Sequence, residues 1–403
     1  MTFDSFGLEP RLMPGIARLG FEHPTPIQQA TIPAALTGQD ILGSAETGTG
    51  KTAAYLLPLL HRLLTSAGQA RRPRALILVP TRELALQVAE QAHALGAATG
   101  LHSVAVYGGV ALSPQQQSLA RGVAVVIATP GRLLDLAARR SLQLDGIEIL
   151  VIDEADRMLD VGFLPDLRRI VRLLPRARQT MLFSATLSPI LGLAAEVTRQ
   201  PVRIEVSKAT TPAAIQQTLL TVPEHLKVQA VQTLLRGAEM DSVLIFTRTK
   251  HRADRLAKTL VRAGIPAAVI HGNRSQNQRI AALEAFRHGR TRVLVATDIA
   301  ARGIDIEGIS HVVNYDVPAQ PDDYVHRIGR TGRATATGTA DTLVTLADEP
   351  LVRRIEAVLK HKIERRRVDG IDYTTPALVQ PDAEAIRRYR EANRRLVVGA
   401  AAR

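Results

Sequence analysis

Along the chain, short apolar runs alternate with polar or glycine-rich turns and then with segments of helical spacing. The first series is Asp40 to Gly43, Ala75 to Val79, Ala124 to Ala128, Ile147 to Ile152 and Thr180 to Phe183. Runs that stay apolar at successive positions read as strands buried on both faces, and their alternation with helices is the signature of a covered parallel sheet. The rhythm lapses between Val206 and Thr218, where Ser207, Lys208, Thr210, Thr211 and Pro212 cluster. It resumes with Val243 to Phe246, Ala267 to Ile270, Val293 to Ala296, His311 to Tyr315 and Asp341 to Leu346. The pattern predicts two α/β domains, residues 1–206 and 215–370, joined by a linker at 207–214. A basic tail follows at 371–403, with a helix expected around Ala383 to Leu396. In open parallel sheets ligands gather at the carboxyl ends of the strands, so two such edges facing each other make a cleft that closure can tighten.

Composition narrows the chemistry. Of 403 residues, 46% are hydrophobic and 22% charged, which is enough apolar side chain for packed cores and excludes wholesale disorder. No run approaches the roughly 18 apolar residues of a membrane span, and Met1 to Gly7 lacks the pattern of a secretory signal, so a cytoplasmic protein with no membrane contact is expected. The absence of cysteine removes disulfides, thiolate nucleophiles and cysteine-bound metals. His93, His102, His225 and His361 are scattered without ligand spacing, and no structural metal is expected. Lys plus Arg number 51 against 38 Asp plus Glu, a net charge of +13. That excess favours a polyanionic partner, although a merely soluble basic protein carries the same signature. With 3% aromatic residues and no Trp, recognition through stacked bases is disfavoured against recognition of a phosphate backbone.

Three clusters carry chemistry. Ser44-Ala45-Glu46-Thr47-Gly48-Thr49-Gly50-Lys51-Thr52 follows a strand and opens a helix. Its glycines let backbone N–H groups curl around phosphates, Lys51 would neutralise the β and γ phosphates, and the Thr52 hydroxyl would ligate Mg²⁺. Ala45 stands where the strict pattern has its first glycine, so a glycine-rich turn capping a helix remains open. The strand Leu150-Val151-Ile152 runs into Asp153-Glu154-Ala155-Asp156, which fits one carboxylate on Mg²⁺ and a second that orients or deprotonates water. A solvated helix start reads similarly. In the second domain, Tyr324-Val325-His326-Arg327-Ile328-Gly329-Arg330-Thr331-Gly332-Arg333 packs arginines among glycines, as close approach to a triphosphate requires, or as a basic surface turn presents.

With these residues in place the chain resembles the DEAD-box ATP-dependent RNA helicases of superfamily 2, from Phe3 to about Leu346. Asp153-Glu154-Ala155-Asp156 is the eponymous tetrapeptide, and Ala45 to Thr52 matches the family's own phosphate loop, in which Ala45 is expected. Gly20 to Gln28 resembles the Q motif with Phe3 as its upstream aromatic; in the family the glutamine at Gln28 reads the adenine edge, which implies ATP rather than GTP. Pro80 to Ala85, Gly108-Gly109 and Thr129-Pro130-Gly131-Arg132 resemble motifs that hold the RNA backbone, and Ser184-Ala185-Thr186 the motif that couples hydrolysis to strand separation. Ile245 to Thr249, the Gln276 and Arg279 pair, and Ala296 to Asp305 resemble the second-domain motifs. Thr247-Arg248-Thr249 departs from the family's commoner residues there.

The resemblance implies two RecA-like domains. It implies ATP with Mg²⁺, held by Phe3, Gln28, Ala45, Glu46, Thr47, Gly48, Thr49, Gly50, Lys51, Thr52 and Asp305, the metal by Thr52 and Asp153. Glu154, Asp153, Lys51, Arg330 and Arg333 would be catalytic, the two arginines reaching the γ-phosphate. RNA would be gripped by Pro80, Arg82, Gly109, Thr129, Gly131, Arg132, Thr247, Arg279, Thr297 and Arg302. Asp156, Ser184, Thr186, His326 and Arg327 would couple hydrolysis to RNA. The expected activity is RNA-stimulated ATP hydrolysis with local unwinding or remodelling of RNA and ribonucleoproteins, with ribosomal or RNA-decay assemblies as candidate partners. An ATP-gated RNA clamp or annealing scaffold is the alternative, and a DNA translocase a more distant one. The short flanks point to the compact bacterial RhlE subgroup.

Overall fold

The structure, a computed structural model, describes residues 2–45, 48–66, 72–206, 215–237, 240–301, 308–332 and 338–375. The first sheet is built from β1 (Ile41–Ser44), β2 (Ala75–Leu78), β3 (Ser103–Val106), β4 (Val125–Ala128), β5 (Ile149–Ile152), β6 (Gln179–Ser184) and β7 (Val202–Glu205). The second contains β8 (Ile215–Thr221), β9 (Val243–Phe246), β10 (Ala267–Ile270), β11 (Val293–Ala296), β12 (His311–Asn314), β13 (Gly338–Val344) and β14 (Glu364–Arg366). Their spatial orders, β3-β4-β2-β5-β6-β1-β7 and β10-β11-β9-β12-β13-β8-β14, are the same order repeated.

Each sheet separates two cores because successive strand residues point to opposite faces. Ile77 and Val151 enter one core with Tyr55 and Leu56, whereas Leu76 and Leu150 enter the other with Leu133 and Met158. Leu244 and Phe246 lie on one side of the second sheet and Ile245 on the other. Each such side chain contributes about 1.5–3 kcal/mol by leaving water, so the register of these strands is strongly fixed.

All ten expected strands are present. β3, β7, β8 and β14 are additional, and three of these four stand at sheet edges. An edge strand buries fewer residues: Glu364, Arg365 and Arg366 are all exposed, and only Ile204 of β7 is buried. β8 begins inside the segment where the apolar rhythm lapses. The expected linker, 207–214, and the tail from 376 onward lie outside the described residues. Both sheets turn their carboxyl ends toward a shared cleft, and the chemistry-bearing residues gather there.

Candidate active site and nucleic-acid interface

β1 delivers the chain into the phosphate loop. Gly48 and Gly50 have φ of 86° and 88°, the left-handed region where a side chain is strained. Gly50 is constrained twice, since a Cβ there would lie 2.4 Å from Gln28 Nε2. The helix Lys51–Thr65 starts at once, and Lys51, 7% exposed, donates from Nζ to the Ala45 carbonyl at 2.7 Å. That bond parks the ammonium at the mouth of the loop. Gln28 is buried, accepting from Thr25 N at 2.9 Å and donating to the Gly50 carbonyl at 3.1 Å. Among the described residues one amide hydrogen and one lone pair of Gln28 take no partner. Phe3 is buried between Phe6 and Phe21, with centroids at 6.1 and 6.2 Å, so its ring packs against the start of the Gly20 to Gln28 segment. Glu46 and Thr47 lie outside the described residues.

The two acids at the end of β5 are held in opposite charge environments. Asp153 is 3% exposed; its Oδ1 accepts from Glu154 N at 2.8 Å and its Oδ2 from the Tyr55 hydroxyl at 3.0 Å. Burial pushes it up to about 6, Lys51 opposing and the Glu154 charge adding. Burial and the Asp153 charge keep the Tyr55 phenol well above its ordinary value, so it stays a donor. Burial would push Glu154 up too, but Arg157, Lys51 and Arg330 together hold it below the usual carboxylate range. Glu154 sits at φ 51°, ψ 49°, paired with Arg157. A non-glycine residue in this conformation is held by its surroundings and is typical of functional turns.

Asp156 ties the acid cluster to the end of β6: its Oδ2 accepts from Ala185 N at 3.0 Å and Thr186 N at 3.2 Å. Ser184 is fully buried and donates to the Thr186 carbonyl at 2.7 Å. Opposite, Arg330 and His326 of the second domain line the same cavity as Lys51, Glu154 and Asp156, about 400 Å³ in volume. Arg327 lies elsewhere. It is buried in a knot with Asp298, at 2.5 and 2.8 Å, Asn314 at 3.1 Å and the Asp316 carbonyl at 2.7 Å, over the Phe246 ring. Its reach is thus to the second domain's own strand ends. Arg333 and Asp305 lie outside the described residues.

Some of the residues expected to hold RNA, Arg82 and Gly109 among them, meet Gln276 of the second domain in the neighbouring part of the cleft. Arg82 fills the space at Gly109, where a Cβ would meet its guanidinium at 1.9 Å. Thr129 precedes the helix Pro130–Ala138 at its N-cap position without a side-chain capping bond, Gly131 is exposed, and Arg132 donates to the Val110 carbonyl at 2.9 Å. Pro80 is buried beneath this surface. From the second domain, Arg279 pairs with Glu83 at 2.9 Å, and Gln276 donates to Glu83 at 3.0 Å. Thr297 is half-buried at the end of β11, and Arg302 lies outside the described residues. Thr247 differs from its expected role: it is fully buried, its hydroxyl turned to the Thr249 and Ala296 carbonyls at 3.3 and 3.5 Å. The exposed groups at that strand end are Arg248 and Thr249.

Three participants escaped sequence reasoning. Tyr55 lies one helical turn beyond Lys51, and Arg157 three residues beyond Glu154, spacings that place each beside its partner. Glu83 stands inside an already quoted motif, but its partners are 193 and more residues away.

A model of the DEAD/DEAH box helicase family matches residues 25–191, and one of the helicase conserved C-terminal domain matches residues 226–335. The chain is 41% identical over 389 residues to the DEAD-box ATP-dependent RNA helicase CshA of Bacillus subtilis, covering 96% of this chain and 78% of that protein. It is 43% identical over 364 residues to the ATP-dependent RNA helicase CshA of Listeria monocytogenes, covering 90% and 69%. The solved structure of S. cerevisiae Dbp5 bound to RNA and ADP BeF3 aligns with a TM-score of 0.84 at 33% identity, over 91% of this chain and 96% of that one. The relatives bear the name CshA, so the expected RhlE subgroup gains no support from them. Phosphate loop, acid cluster and facing arginine thus stand within matches that span both sheets: the chain belongs to the DEAD-box ATP-dependent RNA helicases.

Proposed function

We propose that the first domain binds ATP with Mg²⁺, that single-stranded RNA spans both domains, and that closure of the cleft assembles the hydrolytic site while distorting the RNA. The observation that carries this reading is the shared cavity in which Lys51 and Glu154 face Arg330. Sites for both groups are chemically suited. Among the described residues Gln28 retains amide capacity beside the loop, and the buried Asp153 carboxyl, raised chiefly by its burial, would be favoured as a carboxylate by a cation placed against it. Thr52 and Asp153 are the residues that would hold Mg²⁺. ATP, when bound, would supply the phosphoanhydride, and Mg²⁺ would supply positive charge to stabilise its phosphates.

Glu154, ionised and fixed by Arg157, is placed to orient water or take its proton. Lys51 would exchange its carbonyl partner for phosphate oxygens, and Arg330, with Arg333, would add charge at the γ-phosphate from the opposite domain. Arg82, Arg132 and Arg279 would grip RNA phosphates, with Gly109, Thr129, Gly131, Thr297 and Arg302 beside them, and Thr247 acting as support beneath. Because the Glu83 contacts to Arg279 and Gln276 cross the cleft, forming the RNA surface and closing on ATP are one event. Asp156, bonded to the Ser184-Ala185-Thr186 turn, links it to the acid cluster. The proposed division is 1–206 for ATP, 215–370 for the facing arginines, and 371–403 as a basic tail, in a cytoplasmic protein. Among the described residues no helix is long and apolar enough to cross a membrane.

The test is steady-state ATP hydrolysis with no nucleic acid, with single-stranded RNA and with DNA of the same sequence, using Glu154→Gln as the blank. Stimulation by RNA alone, abolished in Glu154→Gln, is expected. Equal stimulation by DNA would count against RNA as the substrate.

A further inference from the structure

The amino edge of the first sheet, away from the cleft, carries a second concave feature. At the starts of β1 and β6 a cavity of about 390 Å³ opens, lined by Arg172, Arg176, Arg178 and Arg199. Its floor holds Leu174, Val197 and Thr180 together with the buried carboxylate of Asp40. The sequence builds this locally. The helix Leu164–Leu173 sends Leu167 and Ile170 into the core and so turns Arg172 outward. The chain then passes through Arg176 and Arg178 into β6, while Arg199 arrives from the turn before β7.

The charges within this cavity are unbalanced. Asp40 is the buried carboxylate, and its two oxygens accept from Thr180 N at 2.7 Å and Arg199 N at 2.6 Å. Glu196 at the rim is taken by Arg168 through bonds of 2.8 and 2.5 Å. With that pair neutral, four guanidinium groups share one carboxylate. Arg178 is anchored by donation to the Pro175 carbonyl at 2.6 Å, yet its Nε is buried with no acceptor among the described residues. Burial holds its pKa below the ordinary arginine value, Asp40 opposing and Arg199 adding to the effect.

We infer that this cavity is a binding site for a compact oligophosphate, of the pyrophosphate or triphosphate class. A guanidinium fork matches phosphate oxygens in pairs, and several forks converging on one hollow suit an anion whose charges are concentrated. An RNA strand spaces its phosphates along an extended backbone and is served by an open groove. Neither Lys51 nor the interdomain cavity takes part, so the site is separate from that for ATP.

The test is a calorimetric titration of inorganic triphosphate into the full chain carrying Lys51→Ala, which removes the phosphate loop's own affinity. The expected result is one site that weakens at least ten-fold when Arg172→Gln and Arg199→Gln, both at exposed positions, are added, and likewise with Arg178→Lys. No binding to the Lys51→Ala protein, or binding indifferent to these changes, overturns the inference. So does a single-stranded RNA oligonucleotide that competes with triphosphate and loses affinity in parallel, which would assign the surface to RNA.

Discussion

The two sheets repeat one strand order, and corresponding positions carry a lysine and an aspartate in both, with opposite consequences. After β1, Lys51 opens a helix beside Asp153 at the end of β5. After β8, the corresponding strand, Lys227 opens the helix Lys227–Leu234, with Asp316 just beyond β12, the counterpart of β5. Lys51 has a glycine-rich loop before it and a carbonyl as its partner. Lys227, fully buried, lies 3.3, 3.7 and 3.9 Å from Glu224, Asp316 and Asp348 and donates to the Tyr315 carbonyl at 3.1 Å. No glycine stands between β8 and Lys227. One lysine is left available for phosphate, and the other is consumed by the protein's own carboxylates. Under the proposed function the same layout serves chemistry in one half and cohesion in the other.

This contrast can be broken most sharply by two alanines. Lys51→Ala should lower ATP turnover by at least ~10²-fold, as loss of a preorganised charge does, while costing less in unfolding than the loss of Lys227. Lys227→Ala should instead cost about 3–5 kcal/mol in denaturant unfolding, because three acids lose their buried partner, with ATP affinity of the folded protein intact. A Lys227→Ala protein that is stable but blind to nucleotide would reverse the comparison. The bridge between the halves gives a smaller effect. Glu83→Ala strips Arg279 and Gln276 of their partner, a loss of about 1–3 kcal/mol from the closed form. RNA should then stimulate hydrolysis roughly 5-fold less or worse, with ATP binding to the open protein unaltered; full stimulation would show that Glu83 does not hold the cleft.

The last effect concerns two buried carboxyls at positions that do not correspond. Asp153 and Asp341, one per sheet, are both pushed up to about 6, each chiefly by burial. A carboxyl whose folded pKa lies above its unfolded value binds its proton more tightly when folded, so its contribution to stability falls as pH rises from about 4 to 6 and stays low above that. Asp341→Asn should therefore stabilise the protein by up to about 3 kcal/mol at pH 8, with the gain gone below pH 4; a variant less stable than wild type at pH 8 would mean that the charge is compensated in the fold. Asp153→Asn should stabilise in the same sense while abolishing turnover.

What could be read in advance follows from locality. The central strands are continuous apolar runs, so they were legible, as was the phosphate loop, whose parts are contiguous. Edge strands such as Glu364–Arg366 carry no apolar signal because they bury little. Ionic partners remote in sequence, Glu83 with Arg279 and Arg327 with Asp298, exist only through topology. The motif around Thr247 named the right strand end, but burial of that hydroxyl depends on β11 beside it.

The central claim is that one hydrolytic site is assembled from both sheets, and Arg330→Ala tests it most directly. Measured side by side, ATP affinity and RNA-stimulated turnover should separate: affinity within a few-fold of wild type, turnover down by roughly 10³-fold, as when an arginine finger is lost. Turnover that survives the change would contradict the account, because the second sheet would then contribute nothing at the reacting phosphate through this residue.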